Sequence, residues 1–240
     1  MNIGGIQKCS LIDYPGKISL VVFTRGCNFY CPYCHNPALI RPEPDGKGSG
    51  TGLSERPIDE NDLFCFLEKR KTLLDGVVIT GGEPTLHHDL PHFIRRIHEM
   101  GFLVKLDTNG SRPDILEEIV SGGLTDFIAM DVKTAPARYE PFSGKSFDAS
   151  AIFRSVSIII NGGVHHEFRT TCVQPLVTDA DIQQIARMVS GADSYVLQRP
   201  GTKSVLDPDY FRHTGRPASS AELEQFLHIL SPFVSRCHVR

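Results

Sequence analysis

No apolar run in this 240-residue chain approaches the ~18 residues that a membrane-spanning helix needs. The opening Met1-Asn2-Ile3-Gly4-Gly5 has neither the charged leader nor the apolar core of a secretion signal. Surplus positive charge is missing as well. Lys and Arg number 25 against 28 Asp and Glu, a net charge of −3. That balance offers no basic field to a general nucleic-acid binder. A soluble, cytoplasmic protein is expected, with no nucleic-acid and no membrane partner. Evenly paired cysteines are lacking too: there are seven, and without a secretion signal an odd count argues against a disulfide framework. The chain has no second C-x2-C hook, no ferredoxin-type second cysteine cluster, no internal repeat and no linker that splits it.

What is present is a strand–helix alternation. Hydrophobic residues make up 40% of the chain and charged residues 22%, enough to fill a core. Short apolar runs with flanking glycines predict strands at 19–24, 76–80, 102–106, 127–130, 167–173 and 194–198. Between them, helical faces are marked by Leu63, Phe66, Leu67 and Leu74, by Leu90, Phe93, Ile94 and Ile97, and by Ile115, Leu116 and Ile119 after Pro113. Two more faces follow, one with Ile152, Phe153 and Val156, the other with Ile182, Ile185, Ala186 and Val189. A capping-box pattern at Ser219–Glu222 opens a last helix.

Repeated strand–helix units imply parallel strands with helices packed outside. Six units are too few for a full barrel, which leaves a doubly wound sheet or an open, partial (β/α)6 TIM-like barrel. The second is the expected fold, within α/β, as a single domain over 1–240. Its core runs from about 17 to 200, and 201–240 forms an extension with a C-terminal helix. The Gly- and Pro-rich stretch Arg41 to Arg56 is expected to be a surface excursion.

Cys27, Cys31 and Cys34 spell C-x3-C-x2-C. Three thiolates on one loop can hold three corners of a cubane iron–sulfur cluster and leave the fourth iron open. The competing reading is a structural zinc held by Cys27, Cys31, Cys34 and His35. The triplet follows the first predicted strand, where parallel α/β folds place their active sites. Gly81-Gly82-Glu83-Pro84, Asp107-Thr108-Asn109-Gly110, Asp131-Val132-Lys133 and Gln198-Arg199-Pro200 also follow predicted strands. Each alone is most often a turn; five in register carry more weight. Cys65 and Cys172 read as buried small hydrophobes. Cys9 and Cys237 lie near the termini. The pairs His87-His88 and His165-His166 read as solvated or as pointing to opposite strand faces.

The cysteine triplet, with Tyr33 before its last member and Gly-Gly-Glu-Pro downstream, resembles the radical SAM superfamily. Asp13-Tyr14-Pro15-Gly16, Phe23-Thr24-Arg25-Gly26-Cys27 and Cys34-His35-Asn36-Pro37 are similar to glycyl-radical-enzyme activases. The opening Gly4 to Gly16 most resembles anaerobic ribonucleoside-triphosphate reductase activating proteins. The resemblance covers residues 3 to about 200.

It implies that Cys27, Cys31 and Cys34 hold a 4Fe–4S cluster whose open iron chelates S-adenosylmethionine. Gly81, Gly82 and Glu83 would bind the methionyl ammonium, and Tyr33 would lie near the adenine. Asp107, Asp131 and Lys133 match positions around the carboxylate and ribose, with Arg169 as a further anion clamp. Gln198 stands where some activases have histidine. Asp107, Thr108 and Asp131 would also hold a monovalent cation. The implied reaction is reductive cleavage to a 5′-deoxyadenosyl radical, which takes hydrogen from a glycine of a partner glycyl radical enzyme. Flavodoxin or ferredoxin would donate the electron. Other readings are a pyruvate formate-lyase activase, a radical SAM enzyme acting on a small molecule or peptide, such as a 7-carboxy-7-deazaguanine synthase, and a zinc-binding structural module.

Overall fold

A computed structural model describes residues 1–40, 58–143, 147–201 and 204–240. The Arg41–Arg56 stretch therefore lies outside the described residues. Chain contacts define two compact, interleaved units: Met1–Asn28, Asn36–Thr108 and Glu117–Ile128 in one, Phe29–His35, Asn109–Leu116 and Ala129–Arg240 in the other.

The first unit carries β1 (Ile3–Ser10), β2 (Ser19–Thr24), β3 (Gly76–Gly81) and β4 (Leu103–Thr108). β2, β3 and β4 pair in parallel, and β1 lies antiparallel to β2. Leu20, Val21 and Val22, like Val77, Val78 and Ile79, are buried. Such uninterrupted apolar runs are what strands covered on both faces require. Helix α1 (Pro37–Ile40) is a single turn, and α2 (Glu60–Glu68) is capped by the Asp59 side chain, which accepts from Asn61 N at 2.7 Å. Helix α3 (Leu90–Glu99) buries Leu90, Phe93, Ile94 and Ile97, and the chain leaves it through Gly101 at φ +88°. Tyr14, from the Asp13–Gly16 turn, packs with Val21, Val78, Phe23, Leu103 and Phe127. That signature tyrosine is a core residue.

Helix α4 (Pro113–Ser121) and β5 (Phe127–Asp131) contribute residues to both units. The second unit adds α5 (Glu140–Ser143), α6 (Ser150–Asn161), β6 (His165–Thr171), β7 (Val173–Gln174), α7 (Asp179–Met188), β8 (Tyr195–Gln198), α8 (Pro208–His213), β9 (Arg216–Pro217), α9 (Ser220–Leu230) and β10 (Cys237–Val239). β6, β8 and β10 pair in parallel, while β7 and β9 form a small antiparallel ribbon. The capping box at Ser219 and Glu222 forms as expected, and Thr178 with Asp181 makes another at α7.

The eight-strand order is β1-β2-β3-β4-β5-β6-β8-β10, an open, mostly parallel α/β sheet. All six predicted strands are present. β1 and β10 were not expected, because IGGIQKCS and CHV have little strand signal of their own and become strands through their neighbours. Phe153 is corrected: it is 53% exposed, and the buried face of α6 is Ile152, Ser155, Val156 and Ile159. Cys65 is corrected as well. It lies in α2 but is exposed. Cys172 is buried as expected, in the one-residue gap between β6 and β7 rather than within a strand.

Candidate active site

In the first unit, Cys27 follows Gly26, whose φ of +88° suits glycine. The Gly26 amide donates to Leu39 O at 2.8 Å, and its carbonyl accepts from Glu83 N at 2.8 Å. Gly82 N donates to Thr24 O at 2.8 Å. The residue ahead of the cysteine loop is thus stitched, backbone to backbone, to the Gly81–Glu83 turn. A Cβ on Gly82 would stand 1.9 Å from Gly26 O. Glu83 is fully buried. Its Oε1 accepts from Thr85 N at 3.1 Å, Thr85 Oγ1 at 2.5 Å and Thr108 Oγ1 at 2.8 Å. Glu83 therefore caps the Pro84–Leu86 turn, the structural role open to any turn carboxylate. Asp107 pairs with buried Lys105 and accepts from Thr80 Oγ1 at 3.3 Å.

In the second unit, Cys34 N donates to Cys31 O at 2.9 Å. Leu206 N and Asp207 N donate to Cys34 O and Pro32 O, each at 3.0 Å, so the loop is tied down from outside. His35 Nε2 accepts from Gly201 N at 3.3 Å. Tyr33 is buried, and its hydroxyl has no hydrogen-bond partner among the described residues. Burial pushes its pKa well above the ordinary phenol value. Asp131 accepts from Arg169 Nε at 2.7 Å and Lys133 Nζ at 3.0 Å. Burial alone would raise the Asp131 pKa, but these two cations outweigh it and hold the carboxyl well below the carboxylate range. Lys133 moves the other way. Burial lowers it, and the charges of Asp131, Cys31 and Tyr33 carry it well above the ordinary lysine value. Lys133 N also donates to Tyr139 Oη at 3.0 Å. Gln198 closes β8, half-buried.

Asp107 and Asp131 sit at strand ends and pair with basic side chains. Among the described residues, no three His, Cys, Asp or Glu side chains gather around a point that one metal ion could fill. Lys105 and Glu167 were overlooked in the sequence. Lys105 is a charged residue inside the apolar β4 and Glu167 one inside the largely polar β6, two positions before Asp107 and Arg169 respectively and therefore on the same strand face. That spacing was the available signal.

The model of the radical SAM superfamily matches residues 21–189. The chain belongs to the radical SAM superfamily. It is accordingly an enzyme, and the family implies a 4Fe–4S cluster and S-adenosylmethionine. The chain is 33% identical over 243 residues to a Methanocaldococcus jannaschii protein named "Putative glycyl-radical enzyme activating enzyme MJ1227", covering 99% of this chain and 95% of that one. It is 29% identical over 196 residues to the pyruvate formate-lyase-activating enzyme of Clostridium pasteurianum, at 78% and 76% coverage. The structure of TYW1 with a lysine-pyruvate adduct bound shares the fold, with a TM-score of 0.60, 16% identity, and coverage of 90% of this chain and 74% of that one.

The residues present suit these groups. Three cysteine thiols are soft donors of the kind iron–sulfur clusters take. The backbone-to-backbone seat of Gly82 leaves no room for a side chain. Asp131, Lys133 and Arg169 supply both charge signs for a zwitterionic ligand. No helix among the described residues is long and apolar enough to cross a membrane.

The Asp131 pairing has a measurable consequence. Asp131→Asn removes the carboxylate that Arg169 and Lys133 share and is expected to cost about 2 kcal/mol at pH 7. Because the folded pKa is depressed, this contribution is fully present above the unfolded value of about 4 and fades as pH falls through the folded one. Urea unfolding of both proteins should show a constant gap from about pH 7 to 5 that narrows below about pH 4. A gap that widens in acid would contradict the pairing.

Proposed function

We propose that this radical SAM enzyme activates a glycyl radical enzyme, and that the partner is an anaerobic ribonucleoside-triphosphate reductase. The observation that carries the activase reading is the end-to-end likeness to the M. jannaschii protein. The Gly4–Gly16 resemblance supports the reductase as partner.

When bound, the cluster and S-adenosylmethionine supply a one-electron cleavage of the C5′–S bond that releases methionine and moves a glycine Cα hydrogen onto C5′, with reduced flavodoxin or ferredoxin as the electron source. The chain's own residues hold and orient. Cys27, Cys31 and Cys34 hold the cluster. Gly81, Gly82 and Glu83 receive the methionyl ammonium, a group with three donors that suits carbonyls and a carboxyl. Asp131 and Lys133 flank the ribose and carboxylate, and Arg169 clamps the carboxylate. Tyr33, which packs edge-on against Phe142, would be the aromatic neighbour of the adenine. Asp107 is oriented by Lys105 and Thr80.

The test is anaerobic. The reconstituted protein, the reductase, S-adenosylmethionine and reduced flavodoxin are mixed, and the glycyl radical is followed by electron paramagnetic resonance. A radical matched by 5′-deoxyadenosine supports the reading. 5′-Deoxyadenosine without a protein radical would replace it with a small-molecule or peptide substrate. Zinc without acid-labile sulfide, and no cleavage, would leave a structural metal module.

A further inference from the structure

Successive side chains of a strand alternate faces, so Glu167 and Arg169 share one face of β6. Parallel pairing sets Arg169 beside Val196 of β8, and Val196 beside His238 of β10. Arg240 follows β10. Its backbone is fixed at both ends, Arg240 N donating to Leu197 O at 2.9 Å and Arg240 O accepting from Arg199 N at 3.1 Å.

Charges then alternate. Arg240 Nη2 donates to Glu167 Oε2 at 3.4 Å. Glu167 Oε1 lies 3.9 Å from Arg169 Nη1. Arg169 Nε donates to Asp131 Oδ1 at 2.7 Å, and Lys133 Nζ to Asp131 Oδ2 at 3.0 Å. Glu167 is only 4% exposed, and its Oε1 accepts no hydrogen bond among the described residues. A carboxyl group in that setting is costly to bury, and the two guanidiniums beside it offset the cost. Asp131 at Nε and the charge of Glu167 beside Nη1 both act on the orientation of the Arg169 guanidinium plane.

We propose that Glu167 and Arg240 are positioning residues. Glu167 sets the orientation of the Arg169 guanidinium that receives the S-adenosylmethionine carboxylate, and Arg240 holds Glu167 in place. The inference rests on the carboxylate-clamp role given to Arg169 above and is independent of the protein partner.

Binding to the cluster-loaded protein, measured anaerobically by calorimetry, tests it with two ligands: S-adenosylmethionine and its decarboxylated form. Glu167→Gln and Arg240→Ala are each expected to weaken S-adenosylmethionine about tenfold while leaving the decarboxylated ligand unchanged. Arg240→Lys should restore most of the loss. Glu167→Gln should add little on top of Arg169→Ala, since the two share one interaction. A purely structural role would weaken both ligands alike and lower the melting temperature, and would overturn the proposal. So would unchanged S-adenosylmethionine affinity in Glu167→Gln. Should Glu167→Gln fail to fold, the Arg240 pair decides, because that side chain is 47% exposed. If Arg169→Ala itself spares the carboxylate, the clamp role fails; if only Arg169→Ala is selective, the clamp stands and the positioning inference fails.

Discussion

Cys31→Ala is expected to abolish iron retention and 5′-deoxyadenosine formation together, each by about 100-fold or more. Cys31 is the middle member of the triplet and is buried, with its carbonyl held by Cys34 N at 2.9 Å. Two remaining thiolates cannot hold three corners of a cubane. The comparison is internal to the chain. Cys9 and Cys65 are exposed, so Cys9→Ala and Cys65→Ala should keep the brown colour and the turnover. Cys172 is buried, and burial pushes its thiol up to about 12, far from a ligand-forming thiolate. Cys172→Ala should lose about 1 kcal/mol of stability and keep its iron. Iron and acid-labile sulfide analysis with chromatography of the product separates the cases. Full iron in Cys31→Ala, or loss of iron in Cys65→Ala, would move the cluster away from the C-x3-C-x2-C loop.

Gly82→Ala should be nearly as damaging, by a different route. The added methyl would stand 1.9 Å from Gly26 O and 2.6 Å from Gly26 C, both backbone atoms. No rotamer change can relieve that. The turn must retreat, and the Glu83 N to Gly26 O hydrogen bond of 2.8 Å goes with it. We expect S-adenosylmethionine affinity to fall about 100-fold and stability by about 3 kcal/mol. Gly16→Ala is the control for backbone strain alone. Gly16 has φ +69° with nothing within 4 Å of a new Cβ, so about 1 kcal/mol and unchanged binding are expected. Calorimetry and urea unfolding measure both. Equal effects at the two glycines would show that strain, not the seat against Gly26, sets the cost.

Much of the fold was legible because its signals are local. Buried parallel strands read as apolar runs, helix faces as spaced leucines and isoleucines, and the Ser219–Glu222 cap as four letters. The errors also have local causes. Phe153 shares an apolar stretch with Ile152 yet faces outward, since the α6 stripe continues through Ile159. Cys65 sits between the buried Phe64 and Leu67 but points away from the core. β1 and β10 carry no signal that stands apart from the strands they join.

By itself the sequence determined the radical SAM motif, the order of the six strands from β2 to β8 that its apolar runs mark with the longer helices between them, and which motifs end which strands. Those properties follow from residue spacing along the chain. Tertiary structure decided who meets whom. Asp131 is answered by Arg169, 38 positions on, and Glu167 by Arg240, 73 positions on. Gly82 lies against Gly26, and Tyr14 packs among Val21, Val78, Leu103 and Phe127. Ion pairs and backbone contacts of that range depend on strand register and the closing of loops, and no periodicity in a single chain encodes the distance between two strand ends.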